Sequence, residues 1–250
     1  RRVSAAEPPA AARARALFDG LVGRRFGVVR DVAMVPRIDG DAALVHAGAR
    51  IANAHPYHGD HLGLGVGGCG LTRHDAVISA LCEGVGRYVA SSYAPPLAPL
   101  AAFADVAAAG PAVDPATLVR FSPDQRGASD FPLSPVDAQT PLRWVEGRSL
   151  ATGRAMRVPA FAVYLPYMLE QHEPLVAMGI STGLACGATL DEAWLKGLCE
   201  IVERDAMALV WVRGITPPRI DPDVLAATAG ALLPPRDEVR AYDLTTDVGL

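Results

Sequence analysis

Charge is scarce in this sequence: 20% of its 250 residues are Asp, Glu, Lys or Arg, and the formal net charge is −4. Without a basic surplus to meet a phosphate backbone, nucleic acid is excluded as the main partner. Long apolar runs are missing too, since the Ala-rich stretch from Leu97 to Val113 is cut by Pro99, Asp105 and Pro111, far short of the roughly 20 residues of a membrane span. Arg1-Arg2 leads into Glu7-Pro8-Pro9 with no apolar segment of a secretion signal between them. Four cysteines are too few for a disulfide scaffold. The expectation is a cytoplasmic protein with neither a nucleic-acid nor a membrane partner. Lysine is nearly absent as well: Lys196 is the only one among 23 basic residues, a bias that gene base composition explains better than a demand for guanidinium chemistry.

What is abundant is apolar surface. Half the residues are hydrophobic and the mean hydropathy is +0.21, which places the chain among those that offset chain entropy by burial. Its length suits one large domain or two small ones. The pattern predicts a helix over Pro9 to Leu21 stopped at Gly23, strands at Phe26 to Val35 and Asp41 to His46, and a glycine-rich loop from Ala54 to Gly70. Leu97 to Pro141 lacks periodicity and reads as a long connection. Strand character returns at Met156 to Leu165, and a Pro-bounded helix near Val224 to Leu233 and a strand at Val239 to Asp243 follow. The apolar ending at Leu250 suggests missing downstream sequence. Alternating helices and strands indicate an α/β (α+β) class.

The strongest signal is an internal repeat. Shifting the chain by 117 residues lays Cys69 to Arg87 over Cys186 to Arg204 with nine identities in 19 positions: Cys69, Gly70, Thr72, Ala76, Leu81, Cys82, Glu83, Val85 and Arg87. All four cysteines fall into matched pairs. Each copy has a glycine-containing approach, then a Thr with an acidic residue three positions later, Thr72 with Asp75 and Thr189 with Glu192. That is a capping box, so both copies open a helix there. Helical spacing puts Ser79, Glu83 and Arg87 on one edge, with Gly86 beside them, and Glu192, Lys196, Glu200 and Glu203/Arg204 on the matching edge of the second copy. The other faces are apolar, which predicts that both helices pack against a core. A polar edge is ordinarily a solvated face. A face meeting only water accepts almost any polar residue, so the repetition of Glu followed by Arg at one spacing indicates two helices converging on one ligand. Carboxylates suit Mg²⁺ and arginines suit phosphate oxygens, which together point to a nucleoside triphosphate.

The stretches from Gly67 to Tyr88 and from Ser181 to Ala206 resemble the two ATP-binding signatures of the YcaO-like proteins, and Tyr242 to Asp247 is similar to a strand of that fold. The likeness runs from about Gly27 to Leu250. It implies one domain over residues 1–250 that lacks its C-terminal part, with mixed, mostly antiparallel sheets and the two repeat-related helices lining an ATP cleft. It also implies an ATP- and Mg²⁺-dependent cyclodehydratase. A Cys, Ser or Thr of a ribosomal precursor peptide attacks the preceding amide carbonyl, and phosphorylation makes the amide oxygen a leaving group, closing an azoline ring. Under the resemblance Ser79, Glu83, Arg87, Glu192, Lys196, Glu200, Glu203 and Arg204 form the ATP site, with Glu83, Glu200 and Glu203 on Mg²⁺. The expected partners are the precursor peptide and a separate leader-peptide-binding or ubiquitin-activating-enzyme-like protein; a homodimer is left open.

The sequence departs from the family pattern at three places, the last being the family's downstream Arg and Glu motif and C-terminal arm, expected to lie beyond Leu250. Gly86 stands where a second Glu precedes the Arg, and Cys69 stands where a lysine is common. Thioamide or amidine formation, or a non-catalytic subunit that binds peptide or a partner, are the alternatives. His55, His58 and His61 have a spacing metals use, though solvated loop histidines account for them better than zinc; a Cys₄ zinc site lacks the close C-x₂-C spacing. Gly63 to Gly70 is not a Walker loop, Ser181-Thr182-Gly183 is either a phosphate site or a turn, and Trp194 and Trp211 read as core.

Overall fold

The computed structural model describes residues 9–52, 65–92, 100–119, 121–169, 172–233 and 239–245. Two compact units emerge, one built from residues 1–88 and 182–250, the other from residues 89–181.

The first unit opens with helix α1 (Pro9–Leu21) and a three-stranded antiparallel sheet, β1 (Val29–Val35), β2 (Val45–Ile51) and β3 (Gly65–Gly70), in that spatial order. Helix α2 (Arg73–Ser91) follows. Strand alternation places Ala47, Ala49 and Ile51 on one face, where they are buried with Val29 against Ala76, Ala80 and Leu81 of α2. Leu17 and Val22 pack onto the same cluster and seat α1. Small residues let the layers approach: a Cβ on Gly68 would fall 2.1 Å from the Ala80 amide nitrogen.

The second unit holds β4 (Ala101–Ala102), α3 (Phe103–Ala109), α4 (Pro123–Gly127), β5 (Pro141–Leu142), β6 (Trp144–Arg148) and β7 (Ala155–Pro159), with β4–β5 and β6–β7 paired antiparallel. Its core gathers Val119, Val136, Leu142, Trp144, Phe161 and Val176. The Trp144 indole satisfies its N–H on the Ala101 carbonyl at 3.0 Å and stacks on Phe103. Buried Glu173 accepts the Tyr167 hydroxyl and, at 3.3 Å, the Arg143 amide, as a buried carboxylate requires.

The chain returns to the first unit with α5 (Leu190–Arg213) and α6 (Pro222–Ala229). Thr189 caps α5, and Gly214 ends it in the left-handed conformation at φ 62°, donating to the Trp211 and Val210 carbonyls. Asp221 caps α6 through the Asp223 amide at 2.7 Å.

Several expectations need correction. Residues 65–70 form strand β3, not loop: glycine is disfavoured in strands, yet the ladder to β2 uses only backbone. The second strand runs over Val45–Ile51, later than expected, because residues 38–41 close a turn in which the Asp41 carboxylate accepts the Ile38 amide. Residues 97–141 carry α3 and α4 instead of running as bare connection. Over 239–245 there is one bridge, Arg219 to Tyr242, and no longer strand. Helix α5 is not packed on both flanks: Leu195, Met207 and Val212 are exposed, and so are Trp194 and, at 87% exposure, Trp211, so neither tryptophan is core. His55, His58 and His61 lie outside the described residues.

Candidate nucleotide site

The glycine approach and the Thr cap fix where each repeat helix begins. Thr72 Oγ1 accepts the Asp75 amide at 3.2 Å while the Asp75 carboxylate accepts the Thr72 amide at 3.2 Å, closing the capping box. Thr189 Oγ1 likewise accepts the Glu192 amide at 3.2 Å, but Glu192 reaches one residue further back and accepts the Ala188 amide at 2.7 Å. A Cβ on Gly70 would stand 2.4 Å from the Asp75 Cβ, and one on Gly187 would stand 2.5 Å from the Ala193 nitrogen. Each of these glycines therefore lets its chain run against the first turn of its helix, at the same repeat position.

With the helix starts fixed, one face of α2 and one face of α5 line a single cavity of about 720 Å³ in the first unit. The lining takes the same three positions from each copy: Asp75 with Glu192, Ser79 with Lys196, and Glu83 with Glu200. Helical periodicity makes these three positions a stripe, one turn apart. The volume lies within the range of small-molecule sites.

Each central glutamate is tied to the arginine one turn on. Glu83 Oε1 accepts Arg87 Nε at 2.8 Å, and Glu200 Oε1 pairs with Arg204 at 2.8 Å. Glu200 Oε2 also accepts the Gly183 amide at 2.9 Å, and Arg204 reaches Thr182 Oγ1 at 3.4 Å. The Thr182-Gly183 turn, with Gly183 at φ 85°, thus positions the second glutamate. Lys196 Nζ pairs with Glu192 at 2.8 Å. Its ammonium, followed by the Ala188 amide, holds the Glu192 carboxyl below the usual carboxylate range.

Arg13 of α1 and the pair Cys82 and Cys186 also line the cavity, and the sequence reading did not single out any of them for the site. Arg13 lies 4.0 Å from the Glu192 carboxylate. Its only sequence signal is its place on an amphipathic N-terminal helix. The Cys82 thiol is pushed up to about 11, first by burial and then by its hydrogen bond with Cys186.

Of the eight expected site residues, the cavity gathers Ser79, Glu83, Glu192, Lys196 and Glu200 directly. Arg87 and Arg204 join through their glutamates. Glu203 is placed elsewhere, along an apolar pocket with Leu198, Cys199, Val202 and Ala206. Three residues beyond Glu200, it sits about 60° around the helix from it. No group of three His, Cys, Asp or Glu side chains poised for a metal occurs among the described residues.

The donor set still fits a magnesium nucleotide. Four carboxylates (Asp75, Glu83, Glu192, Glu200) face two cations (Arg13, Lys196). Mg²⁺ is ordinarily held by one or two carboxylates, with phosphate oxygens and waters completing its shell, and each ion-paired glutamate keeps lone pairs for it. Leu184, Ala185 and Ile78 supply apolar wall.

Residues 67–250 match the family model described as YcaO cyclodehydratase, ATP- and Mg²⁺-binding. The chain belongs to the YcaO family. It is 29% identical over 191 residues to an uncharacterized protein in the tfuA 3′ region of Rhizobium leguminosarum bv. trifolii, covering 73% of this chain and 42% of that protein. A solved heterocyclase in complex with substrate and cofactor is similar with a TM-score of 0.68 and 26% identity, over 84% of this chain and 30% of that one. YcaO from Methanopyrus kandleri, bound with AMPPCP and Mg²⁺, shares the fold at a TM-score of 0.54 and 23% identity, over 84% of this chain and 45% of that one. The chain thus spans less than half the length of these relatives. Among the described residues no helix is long and apolar enough to cross a membrane.

Proposed function

We propose that this chain carries the nucleotide site of an ATP-dependent cyclodehydratase that converts Cys, Ser or Thr of a ribosomal precursor peptide to azolines. The observation that carries the reading is the convergence of Glu83 and Glu200, matched positions of the repeat, on one cavity. ATP supplies the phosphoryl group that turns a peptide amide oxygen, a poor leaving group, into phosphate. Glu83 and Glu200 present carboxylate oxygens for Mg²⁺ from opposite helices, and Arg87 and Arg204 hold those carboxylates in place. Glu203 is assigned to the metal by the family likeness alone. Arg13 and Lys196, anchored on Glu192, offset phosphate charge from the other side. Ser79, in the cavity lining, is the proposed hydroxyl donor to the nucleotide. The precursor peptide is the proposed substrate, and a separate leader-peptide-binding protein the proposed partner.

Gly86 favours a second reading. It lines the cavity without a ligand atom, leaving the α2 side one carboxylate short of the family pattern, as a non-catalytic peptide-binding subunit would allow. One experiment decides: the protein is incubated with MgATP, a precursor peptide and its leader-binding partner, and the peptide is followed by mass spectrometry. Loss of one water per modified residue, dependent on ATP, is expected. Replacement of oxygen by sulfur would make it a thioamide-forming enzyme. An unchanged peptide would support the non-catalytic reading.

A further inference from the structure

Strand β3 is the outer strand of its sheet: among the described residues only β2 pairs with it. The ladder fixes which way its backbone groups point. Just past β2 the Ala52 amide donates to the Val28 carbonyl at 2.8 Å, toward β1. Backbone groups alternate sides along a strand, so those of Arg50, Gly48 and His46 also face β1, while those of Ala49 and Ala47 face β3. Their partners Val66 and Gly68 point back to β2, which leaves the amides and carbonyls of Gly65, Gly67 and Cys69 on the open edge. All three residues are exposed, and exposure of a glycine is exposure of main chain. Gly67 also lines the nucleotide cavity with Ser79 and Glu83.

The glycines of β3 are of two kinds. Packing accounts for Gly68 and Gly70, where a Cβ would fall 2.1 Å from the Ala80 nitrogen and 2.4 Å from the Asp75 Cβ. A Cβ on Gly65 would meet no described atom within 4 Å, and one on Gly67 would meet only the Ala47 carbonyl oxygen at 4.0 Å. Neither of these two has a positive φ. Glycine weakens a strand, so where neither packing nor conformation calls for it, it marks the close approach of a ligand or another backbone. The repeat sharpens the contrast: Leu184, the counterpart of Gly67 at a spacing of 117 residues, puts a side chain into the cavity wall, and Gly67 puts none.

We propose that the open edge of β3, from Gly65 to Cys69, docks the segment of the precursor peptide that is modified, which adds to the sheet as an extended strand and passes the cavity at Gly67. That the occupant is a peptide substrate rests on the cyclodehydratase reading above; the open main-chain edge does not. Donors and acceptors at every second residue, about 7 Å apart, match an extended peptide backbone. An edge that binds backbone accepts Cys, Ser and Thr alike, and the group to be activated is itself a backbone amide.

The test follows amide hydrogen exchange of the full chain by NMR, with and without acetyl-Ala-Thr-Ala-Cys-Ala-Ser-Ala-amide at millimolar concentration. Without peptide, the Val66 and Gly68 amides are expected to exchange slowly and those of Gly67 and Cys69 fast. The peptide is expected to slow Gly67 and Cys69 by about threefold or more, and the same peptide N-methylated at alternate residues to leave them unchanged. Cys69→Pro removes one outward amide and spares the ladder to β2; with a precursor peptide and its leader-binding partner it is expected to raise the peptide KM by about threefold or more at unchanged MgATP affinity, while Cys69→Ala matches the wild type. Should Cys69→Pro fail to fold, exchange in the unmodified protein decides. Slow exchange at Gly67 and Cys69 without peptide overturns the proposal, since the edge is then already covered, by a second copy of the chain where the slowing grows with protein concentration. Exchange unchanged by the peptide, equal protection by the N-methylated peptide, or a wild-type KM in folded Cys69→Pro overturns it as well. A wild-type protein that binds no MgATP and leaves the precursor unmodified would instead overturn the cyclodehydratase reading, and the exchange data would then decide the docking edge by themselves.

Discussion

Glu83 and Glu200 stand 117 residues apart in the sequence, line one cavity, and are each paired at 2.8 Å with the arginine one helical turn further on. The arrangement repeats because the parts that set it repeat: a Thr cap, a glycine against the first turn, then carboxylate and guanidinium four residues apart. Sequence duplication has become duplication of geometry around one cavity.

The glycine step gives the first prediction. In Gly70→Ala the new methyl meets Asp75 Cβ, and in Gly187→Ala it meets the Ala193 nitrogen. Each substitution is expected to destabilise the protein by about 1–3 kcal/mol, because backbone rather than a flexible side-chain end must yield. Urea unfolding of the two variants checks this; wild-type midpoints would show that the approach is looser than described.

Gly86 faces the cavity with Leu184 Cγ 4.0 Å from a Cβ built on it, so a longer side chain has room. Gly86→Glu is expected to tighten Mg²⁺-dependent ATP binding by about fivefold or more by adding a carboxylate on the α2 side. Calorimetric titration with and without Mg²⁺ reads this, and unchanged Mg²⁺ dependence would mean that position 86 does not see the metal.

Arg13 lies outside the stretch matched by the family model yet reaches the cavity. Helix α1 is seated by buried Ala11 and Ala14 and by Leu17, not by this exposed arginine. Arg13→Ala should therefore lower ATP affinity by about threefold to tenfold while changing stability by less than about 0.5 kcal/mol. Parallel titration and thermal melts separate the two; a lowered melting temperature with normal affinity would make Arg13 a structural residue only.

The Cys82 thiol is raised to about 11 by burial and by Cys186. A raised thiol pKa means less thiolate at any lower pH. In iodoacetamide labelling near pH 8, exposed Cys69 and Cys199 should react first and Cys82 last, and the Cys82 rate should climb as the pH approaches that value. Equal labelling rates at all four sites would contradict the raised, half-buried thiol.

The site was legible where residues repeat a physical requirement. Thr72 and Thr189 announced helix starts, and helical spacing then put Ser79, Glu83, Lys196 and Glu200 on converging edges. Arg13 was not legible, because long-range packing brings it to the cavity and no local motif marks it; Cys82 and Cys186 lie within the repeat, but only packing shows that they line the cavity. Strand β3 was hidden because a run of glycines reads as loop, while its pairing to β2 is made entirely by backbone. Trp211 was misread as core because an apolar residue on an apolar helix face is expected to be covered. Glu203 differs from Glu200 by a rotation about the helix that a motif does not convey.

The most direct measurement is calorimetric titration of MgATP into the wild type and into Glu83→Gln and Glu200→Gln, which keep shape and remove charge. If both glutamates face one magnesium nucleotide, wild-type binding is Mg²⁺-dependent and each variant weakens it by about tenfold or more. Undiminished Mg²⁺-dependent binding by either variant would contradict the shared site.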